Sequence, residues 1–216
     1  MTLVVGRVSG SHVAIAGDTL ISEHDEHLPI QAGCVKSCML PGGLCVSLAN
    51  SPETAARDIR SFRQQFPNGA AFSDVVAFFE GSSERTANDY LLAFAKPARL
   101  IKISDGKRLS SMAKTAWIGD RDAYSRFREF EARARPRPYE GRAINAAMFM
   151  DEQDGSPASD LHSPLRDVIA DRTVRTVGGF VSTISNRGQR FRYSVYSDMF
   201  YDWPNTYPSN SPTKSP

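Results

Sequence analysis

Long apolar runs are missing from this chain. None approaches the ~20 residues that cross a bilayer as a helix, which argues against a membrane span. The N-terminus also lacks a basic stretch followed by an apolar one. No secretory signal is legible there, and a cytoplasmic location is expected by default. Excess charge of one sign is absent too: 26 Lys and Arg stand against 24 Asp and Glu, a formal net charge of +2. Basic residues do cluster at Arg126, Arg128, Arg133, Arg135 and Arg137, with Phe127 and Phe130 between them. Glu129, Glu131 and Glu140 are interleaved, however, and a phosphate-binding stripe would not carry so many carboxylates. The cluster reads as a solvated helix, and neither nucleic acid nor membrane is expected as a partner.

Cysteine is scarce as well. Cys34, Cys38 and Cys45 are an odd, tightly spaced set, which does not fit a secreted disulfide framework. His24 and His27 lie upstream, but the spacing matches no zinc pattern, so no metal and no cofactor are expected. Cys34 and Cys38 share the parity of Lys36 and read as reduced cysteines on its face of a strand. His12, His24, His27 and His162 form no partnered arrangement, and Trp117 and Trp203 read as packing residues.

What remains is an ordinary globular composition. The chain has 216 residues, 41% hydrophobic and 23% charged, enough for one soluble domain with a real core. Residues 2–9, TLVVGRVS, and 12–18, HVAIAGD, read as a β-hairpin turning at Gly10. Residues 19–33 read as a polar loop. A second hairpin follows, CVKSCML and LCVSLA around Pro41-Gly42-Gly43. Ser51-Pro52-Glu53 then gives a helix start: N-cap, Pro at the first helical position, an acid in the first turn. Ala55, Ile59, Phe62 and Phe66 recur at helical spacing, and Pro67-Asn68-Gly69 ends the run. A second helix is expected from about Ser73. Strands return with DYLLAFAK and ARLIKIS, and RLSSMAKTAWIG leads onward. Helices are expected over about 121–134, around 143–150, and over 164–172. VGGFVSTIS and QRFRYSVYS form a last hairpin turning at Asn186-Arg187-Gly188. The order implies an α+β layered fold with mainly antiparallel sheets. Residues 1–203 read as one domain, and 204–216, PNTYPSNSPTKSP, as a disordered tail.

Hairpin arithmetic brings the first chemistry together. A three-residue loop pairs residues summing to 20 and sets Thr2 opposite Asp18; a two-residue loop raises the sum to 21 and sets Thr19 there. Either register leaves Thr2 beside Asp18. A threonine hydroxyl is a weak nucleophile and needs a base within reach. At position 2 an unusual base is available. If Met1 is cleaved, the freed α-amine, with an ordinary pKa of about 7.7–8.0, sits on the same residue as the hydroxyl.

TLVVGRVSGSHVAIAGDT, continued through VKSCMLPGGLCVSLAN into the helix from Pro52, resembles the start of proteasome β-type subunits and of HslV, the bacterial proteasome-like peptidase. The resemblance is clear over roughly the first 65 residues and weaker through TAWIG and the final Gly-Gly hairpin. It implies a four-layer αββα sandwich and a threonine-type N-terminal-nucleophile hydrolase. Thr2 would be the nucleophile, Asp18 and Lys36 its supporting pair, the Asn50 backbone N–H the oxyanion donor, and Ser22 a partner of the substrate backbone. Lys36 would favour the neutral amine and the developing alkoxide, and Asp18 would hold Lys36 charged and oriented. Cys38 and Leu48 would line the side-chain pocket.

Departures accompany the match. Asn50 stands where the family usually has Gly. Asp120 falls where the family has a Ser in a Gly-Ser-Gly motif. Counting back from Gly178-Gly179, two normally polar positions hold Val174 and Val177; a register closer to HslV brings Asp171 and Thr176 there instead. Asp120 and Asp171 are the accessory candidates. The resemblance further implies a peptide or unfolded-protein substrate, a homo-oligomeric ring enclosing the sites, and an ATP-dependent unfoldase as partner. Two other readings stand beside the peptidase: a non-catalytic assembly subunit of the same fold, and an N-terminal-nucleophile amidase acting on a small amide.

Overall fold

The computed structural model describes residues 2–20, 34–110, 114–133 and 157–194. Within them, two five-stranded antiparallel sheets stack face to face and each carries a pair of helices. One sheet has the order β10-β9-β2-β1-β8, from β1 (Leu3–Ser9), β2 (His12–Gly17), β8 (Thr115–Gly119), β9 (Ser182–Arg187) and β10 (Arg190–Ser194). The other has the order β3-β4-β5-β6-β7, from β3 (Ser37–Leu40), β4 (Leu44–Ala49), β5 (Asp89–Ala95), β6 (Ala98–Ser104) and β7 (Lys107–Ser110). The helices are α1 (Pro52–Gln65), α2 (Phe72–Thr86), α3 (Arg121–Arg133) and α4 (Pro157–Ala170). None is long and apolar enough to cross a membrane.

Strand alternation builds the layers. Side chains of successive strand residues point to opposite faces, so a sheet covered on both sides must be apolar on both parities. In β4, Leu44, Val46 and Leu48 join Ile59, Phe62 and Phe79 under α1 and α2. Cys45 and Ala49 point the other way, into a central layer with Val4, Ile15, Leu91, Leu100 and Ile118. In β1, Leu3 and Val5 face α3 and α4 and meet Phe127, Leu161 and Leu165. The four layers are therefore helices, sheet, sheet, helices, the αββα architecture. The two sheets approach closely at Gly6, where a Cβ would lie 3.0 Å from a Leu100 methyl.

The chain reverses at two ends of this sandwich, and the ends differ. The turns after β1, β3, β5 and β9 share one end, where Gly43 packs against the Gln189 carbonyl. At the other end lie the start of β1, the ends of β2 and β4, the start of β5 and the end of β8. Thr2, Asp18, Asn50 and Asp120 consequently gather at one end although they come from different parts of the chain.

Several boundaries differ from the sequence reading. The β1–β2 turn has two residues, with Ser9 paired to His12, so paired residues sum to 21 and Thr19 stands opposite Thr2. Cys34 and Lys36 precede β3, which is only four residues long. All three cysteines are free thiols. RLSSMAKTAWIG splits into two strands in different sheets. α4 starts at Pro157, seven residues earlier than Pro164, which lies inside the helix. A proline there removes one backbone donor, but buried Leu161, Leu165 and Val168 hold the helix to the sheet across it. β9 starts at Ser182 rather than Val177, because the Gly-Gly segment crosses the end of β2 instead of extending the ladder. Arg187 pairs with Arg190, so the last turn is Gly188-Gln189.

On α3, Arg126 pairs with Glu129 at 2.7 Å and Arg128 with Glu131 at 2.8 Å, so these two basic residues are matched by their own helix neighbours. The expected helix at 143–150 and the tail at 204–216 lie outside the described residues.

Phe79 is fully buried among the rings of Phe62, Phe78 and Tyr90. Phe79→Ala should cost about 3–5 kcal/mol, because the surrounding rings cannot all close the void. The midpoint of urea unfolding checks this.

Candidate active site

Asp18 organises the site. It follows directly on β2, is fully buried, and stands opposite Leu3. Its N–H donates to the Leu3 carbonyl at 3.2 Å, and its Oδ1 accepts the Leu3 N–H at 2.9 Å. The same oxygen accepts a hydrogen bond from the Thr2 hydroxyl. Oδ2 accepts N–H groups from Leu20 at 3.1 Å and Gly178 at 3.4 Å. Lys36 Nζ lies 3.6 Å from Oδ2 and donates to the Leu20 carbonyl. One carboxylate thus ties together the head of β1, the end of β2, the segment before β3 and the Gly-Gly segment before β9.

The electrostatics are those of a desolvated pair. Thr2 is 2% exposed, Asp18 0% and Lys36 4%. Burial pushes the Asp18 carboxyl above its usual range; Lys36, the Thr2 hydroxyl and the Leu3 and Gly178 N–H groups oppose it. Burial pushes the Lys36 ammonium down, and Asp18 opposes that. Desolvation pushes each partner toward its neutral form, and the attraction between the two opposes it.

Lys36 comes from the other sheet, and its carbonyl accepts the Leu48 N–H at 2.9 Å. That bond ties the segment before β3 to the end of β4, two residues before Asn50. Asn50 has φ +83, a left-handed conformation uncommon for a residue other than glycine. Its carboxamide donates to the Ala87 carbonyl at 2.7 Å and so leans toward the α2–β5 connection.

Asp120 reaches the site through the backbone. Its N–H donates to the Thr2 carbonyl at 2.7 Å. Gly119 just before it has φ +100, and a Cβ there would sit 2.0 Å from that carbonyl oxygen, so only glycine fits. The Asp120 carboxylate accepts from the N–H groups of Asp122 at 2.7 Å and Ala123 at 2.9 Å, the N-cap of α3. Partial burial alone would raise its pKa. The Ala123 N–H, the Thr176 hydroxyl and the Asp122 N–H outweigh that and hold it below the usual range.

The Thr176 contact bears on the two late registers. Thr176 meets Asp120, whereas Val177 is buried in the apolar layer under α3 and α4 with Val174 packed against it. Asp171 follows α4. It accepts from Thr173 Oγ1 at 2.7 Å and lies 3.3 Å from Arg126 Nε. Those contacts join α3 to α4 and are not contacts with Thr2. Cys38 and Leu48 both pack toward α1 and α2. Ser22 lies outside the described residues.

Sequence reasoning missed Leu20 and Gly178. Both contribute N–H groups to Asp18, and Leu20 also contributes its carbonyl to Lys36. The Gly-Gly pair was the available signal. A Cβ on Gly179 would fall 2.3 Å from Thr19 Oγ1, which marks a close backbone approach rather than a strand.

Solved structures share this architecture. An Anbu (Gly-1) mutant from Hyphomicrobium sp. strain MC1 matches with a TM-score of 0.64 at 10% identity, over 95% of this chain and 94% of that one. Anbu (ancestral beta-subunit) from Yersinia bercovieri matches with a TM-score of 0.61 at 13% identity, over 95% and 94%. Eukaryotic HslV from Trypanosoma brucei matches with a TM-score of 0.57 at 12% identity, over 85% and 98%. No protein-family model matches the chain, and no curated protein matches its sequence. The fold is thus the two-sheet αββα sandwich that Anbu and HslV also have.

Removing Lys36 should strand a buried carboxylate. Lys36→Met is expected to cost about 3–5 kcal/mol near pH 7. Without the cation the Asp18 pKa rises further in the folded state. A folded pKa above the unfolded one gives stability that is complete at low pH and lost as pH rises through it. The Lys36→Met deficit should therefore shrink as pH falls from 7 toward 5, in urea midpoints read against the unsubstituted protein.

Proposed function

We propose that this protein is a threonine-type peptidase that cleaves peptide bonds through an acyl-enzyme on Thr2, after hydrolysis of the Met1–Thr2 bond. The observation that carries the reading is the buried Thr2–Asp18–Lys36 cluster at the head of β1. It sits at the chain position where a hydroxyl and an α-amine can belong to one residue, in a fold of the N-terminal-nucleophile type.

The chemistry follows from these groups. The Thr2 hydroxyl oxygen adds to the substrate carbonyl, and its proton passes to the freed α-amine. Lys36 disfavours a second cation on that amine and stabilises the alkoxide as it develops. The Asn50 N–H receives the negative oxygen of the tetrahedral intermediate. That intermediate collapses as the C–N bond breaks, and the ammonium proton goes to the departing amine. An ester on Thr2 remains. Water adds to it, the C–O bond breaks, and the hydroxyl and amine are restored. Asp18 keeps Lys36 charged throughout. By resemblance, the site works inside a cytoplasmic homo-oligomeric ring, with unfolded protein delivered by an ATP-dependent unfoldase.

A second reading has its own observation. Both accessory carboxylates are already engaged, Asp120 as the cap of α3 and Asp171 with Thr173 and Arg126. A subunit that assembles without cleaving would show this arrangement around a silent Thr2.

Intact mass separates the two. Purified protein is treated with a peptidyl epoxyketone, which needs the hydroxyl and free amine of one N-terminal threonine. The peptidase reading expects loss of Met1 and a single adduct, with adduct and peptide turnover both gone in Thr2→Ala while assembly is unchanged. Turnover retained in a clean Thr2→Ala preparation would sink the mechanism. A processed Thr2 that takes no adduct moves the assignment to the assembly subunit. An adduct without peptide cleavage moves it to an amidase acting on a small amide.

A further inference from the structure

A second polar cluster stands where β4 ends, α1 begins and the α2–β5 connection passes. Its centre is the unusual backbone of Asn50. Glycine adopts a φ of +83 freely, whereas a residue with a Cβ must be held there. Ala49 is fixed on one side by its place in the ladder opposite Asp89. On the other side, the Ser51 N–H donates to Asn88 Oδ1 at 2.8 Å. The Asn50 side chain adds its bond to the Ala87 carbonyl.

Asn88 is fully buried, and both ends of its carboxamide are used. While Oδ1 takes the Ser51 N–H, Nδ2 donates to Thr54 Oγ1 at 2.7 Å. Thr54 Oγ1 donates in turn to the Ser51 carbonyl at 3.2 Å. One buried side chain thus grips the peptide after Asn50 directly and the carbonyl after it through Thr54. Ala87 beside it is itself left-handed at φ +54, set by the C-cap bond from its N–H to the Ser83 carbonyl at 2.9 Å. The end of α2 therefore dictates where the clamp stands.

We propose that Asn88 is a positioning residue for the oxyanion donor: it locks the left-handed backbone of Asn50 so that the Asn50 N–H is preorganised to receive the oxyanion. This rests on the threonine-peptidase reading. Preorganised donors count because they need no rearrangement as charge develops. A free glycine would leave that orientation to be selected in each turnover. Asparagine at position 50, clamped by Ala87 and Asn88, fixes it in advance.

The test uses the full-length, Met1-processed protein, a fluorogenic peptide, and a peptide aldehyde whose adduct on Thr2 is tetrahedral. In Asn88→Ala, kcat should fall about 10- to 100-fold, short of the roughly 100- to 1000-fold of losing a donor outright, with KM little changed. Aldehyde affinity should weaken by a similar factor. Asn88→Asp keeps an acceptor for the Ser51 N–H and should recover most of kcat. Asn186→Ala removes a buried carboxamide of the same kind at the opposite end of the sandwich, bonded to the Val13 N–H and the Ser11 carbonyl, and should keep kcat. If Asn88→Ala does not fold, Asn50→Ala, on an exposed side chain, cuts the Ala87 tether and should show the same fall in kcat and aldehyde affinity.

Unchanged kcat and aldehyde affinity in a folded Asn88→Ala or Asn50→Ala variant overturns the inference and leaves the peptidase reading standing. So does a fall in Asn186→Ala equal to that in Asn88→Ala, which would make the effect one of general loosening. An unsubstituted protein that turns over no peptide and takes no adduct overturns the peptidase reading, and this inference with it.

Discussion

The Asp18 carboxylate is the interaction on which the rest depends. It is fully buried, so every lone pair left without a donor would destabilise the fold. The donors come from Thr2, Leu3, Leu20, Gly178 and Lys36, which belong to four separate stretches of chain. Satisfying one group therefore fixes where those stretches meet. The nucleophile candidate is held by the constraint that closes this end of the sandwich. Stability and the proposed chemistry share the same atoms, so substitutions at Asp18 or Lys36 alter folding in any case.

The layered core supplies the rigidity that such a site needs. Its central layer holds small and aliphatic side chains, Ala49, Ala93 and Ala116 among Val4, Ile15 and Leu100, so the sheets approach closely. Lys36 can then reach from one sheet to a carboxylate at the end of the other. Apart from Phe191, the large aromatic residues of the described core lie outside that layer. Phe62, Phe78 and Phe79 pack beneath α1 and α2, and Trp117 stacks on Tyr124 toward α3. A bulky ring at Gly6 would spread the sheets and separate the pair.

The neighbourhood of Thr2 also shows how one scaffold carries different polar decorations. Asp120 uses its N–H on the Thr2 carbonyl and its carboxylate on the N-terminus of α3. An acid at a helix N-terminus is favoured by the exposed N–H groups and the helix dipole, so this residue orders α3 as it borders the site. Asn50 in turn takes a conformation for which glycine is the usual solution, and the α2–β5 connection supplies polar tethers in place of conformational freedom.

By itself the sequence determined the alternation of strands and helices, the cap at Ser51, the placement of Thr2 beside Asp18, and the cysteines as thiols without a framework. Each follows from local rules: side-chain period, turn chemistry, and the reach of a hairpin whose loop is two or three residues long. Tertiary structure decided the rest. Which hairpin register holds depended on the two-residue turn and on the whole ladder behind it. That α4 runs through Pro164 was decided by the burial of Leu161, Leu165 and Val168, which outweighs one lost backbone bond. That Gly178 turns its N–H to Asp18 was decided by a close approach to Thr19 that local pattern does not encode. The pairing of Asn88 with the Ser51 N–H joins residues 37 positions apart, and only the packing of α2 and β5 against the end of β4 brings them into contact.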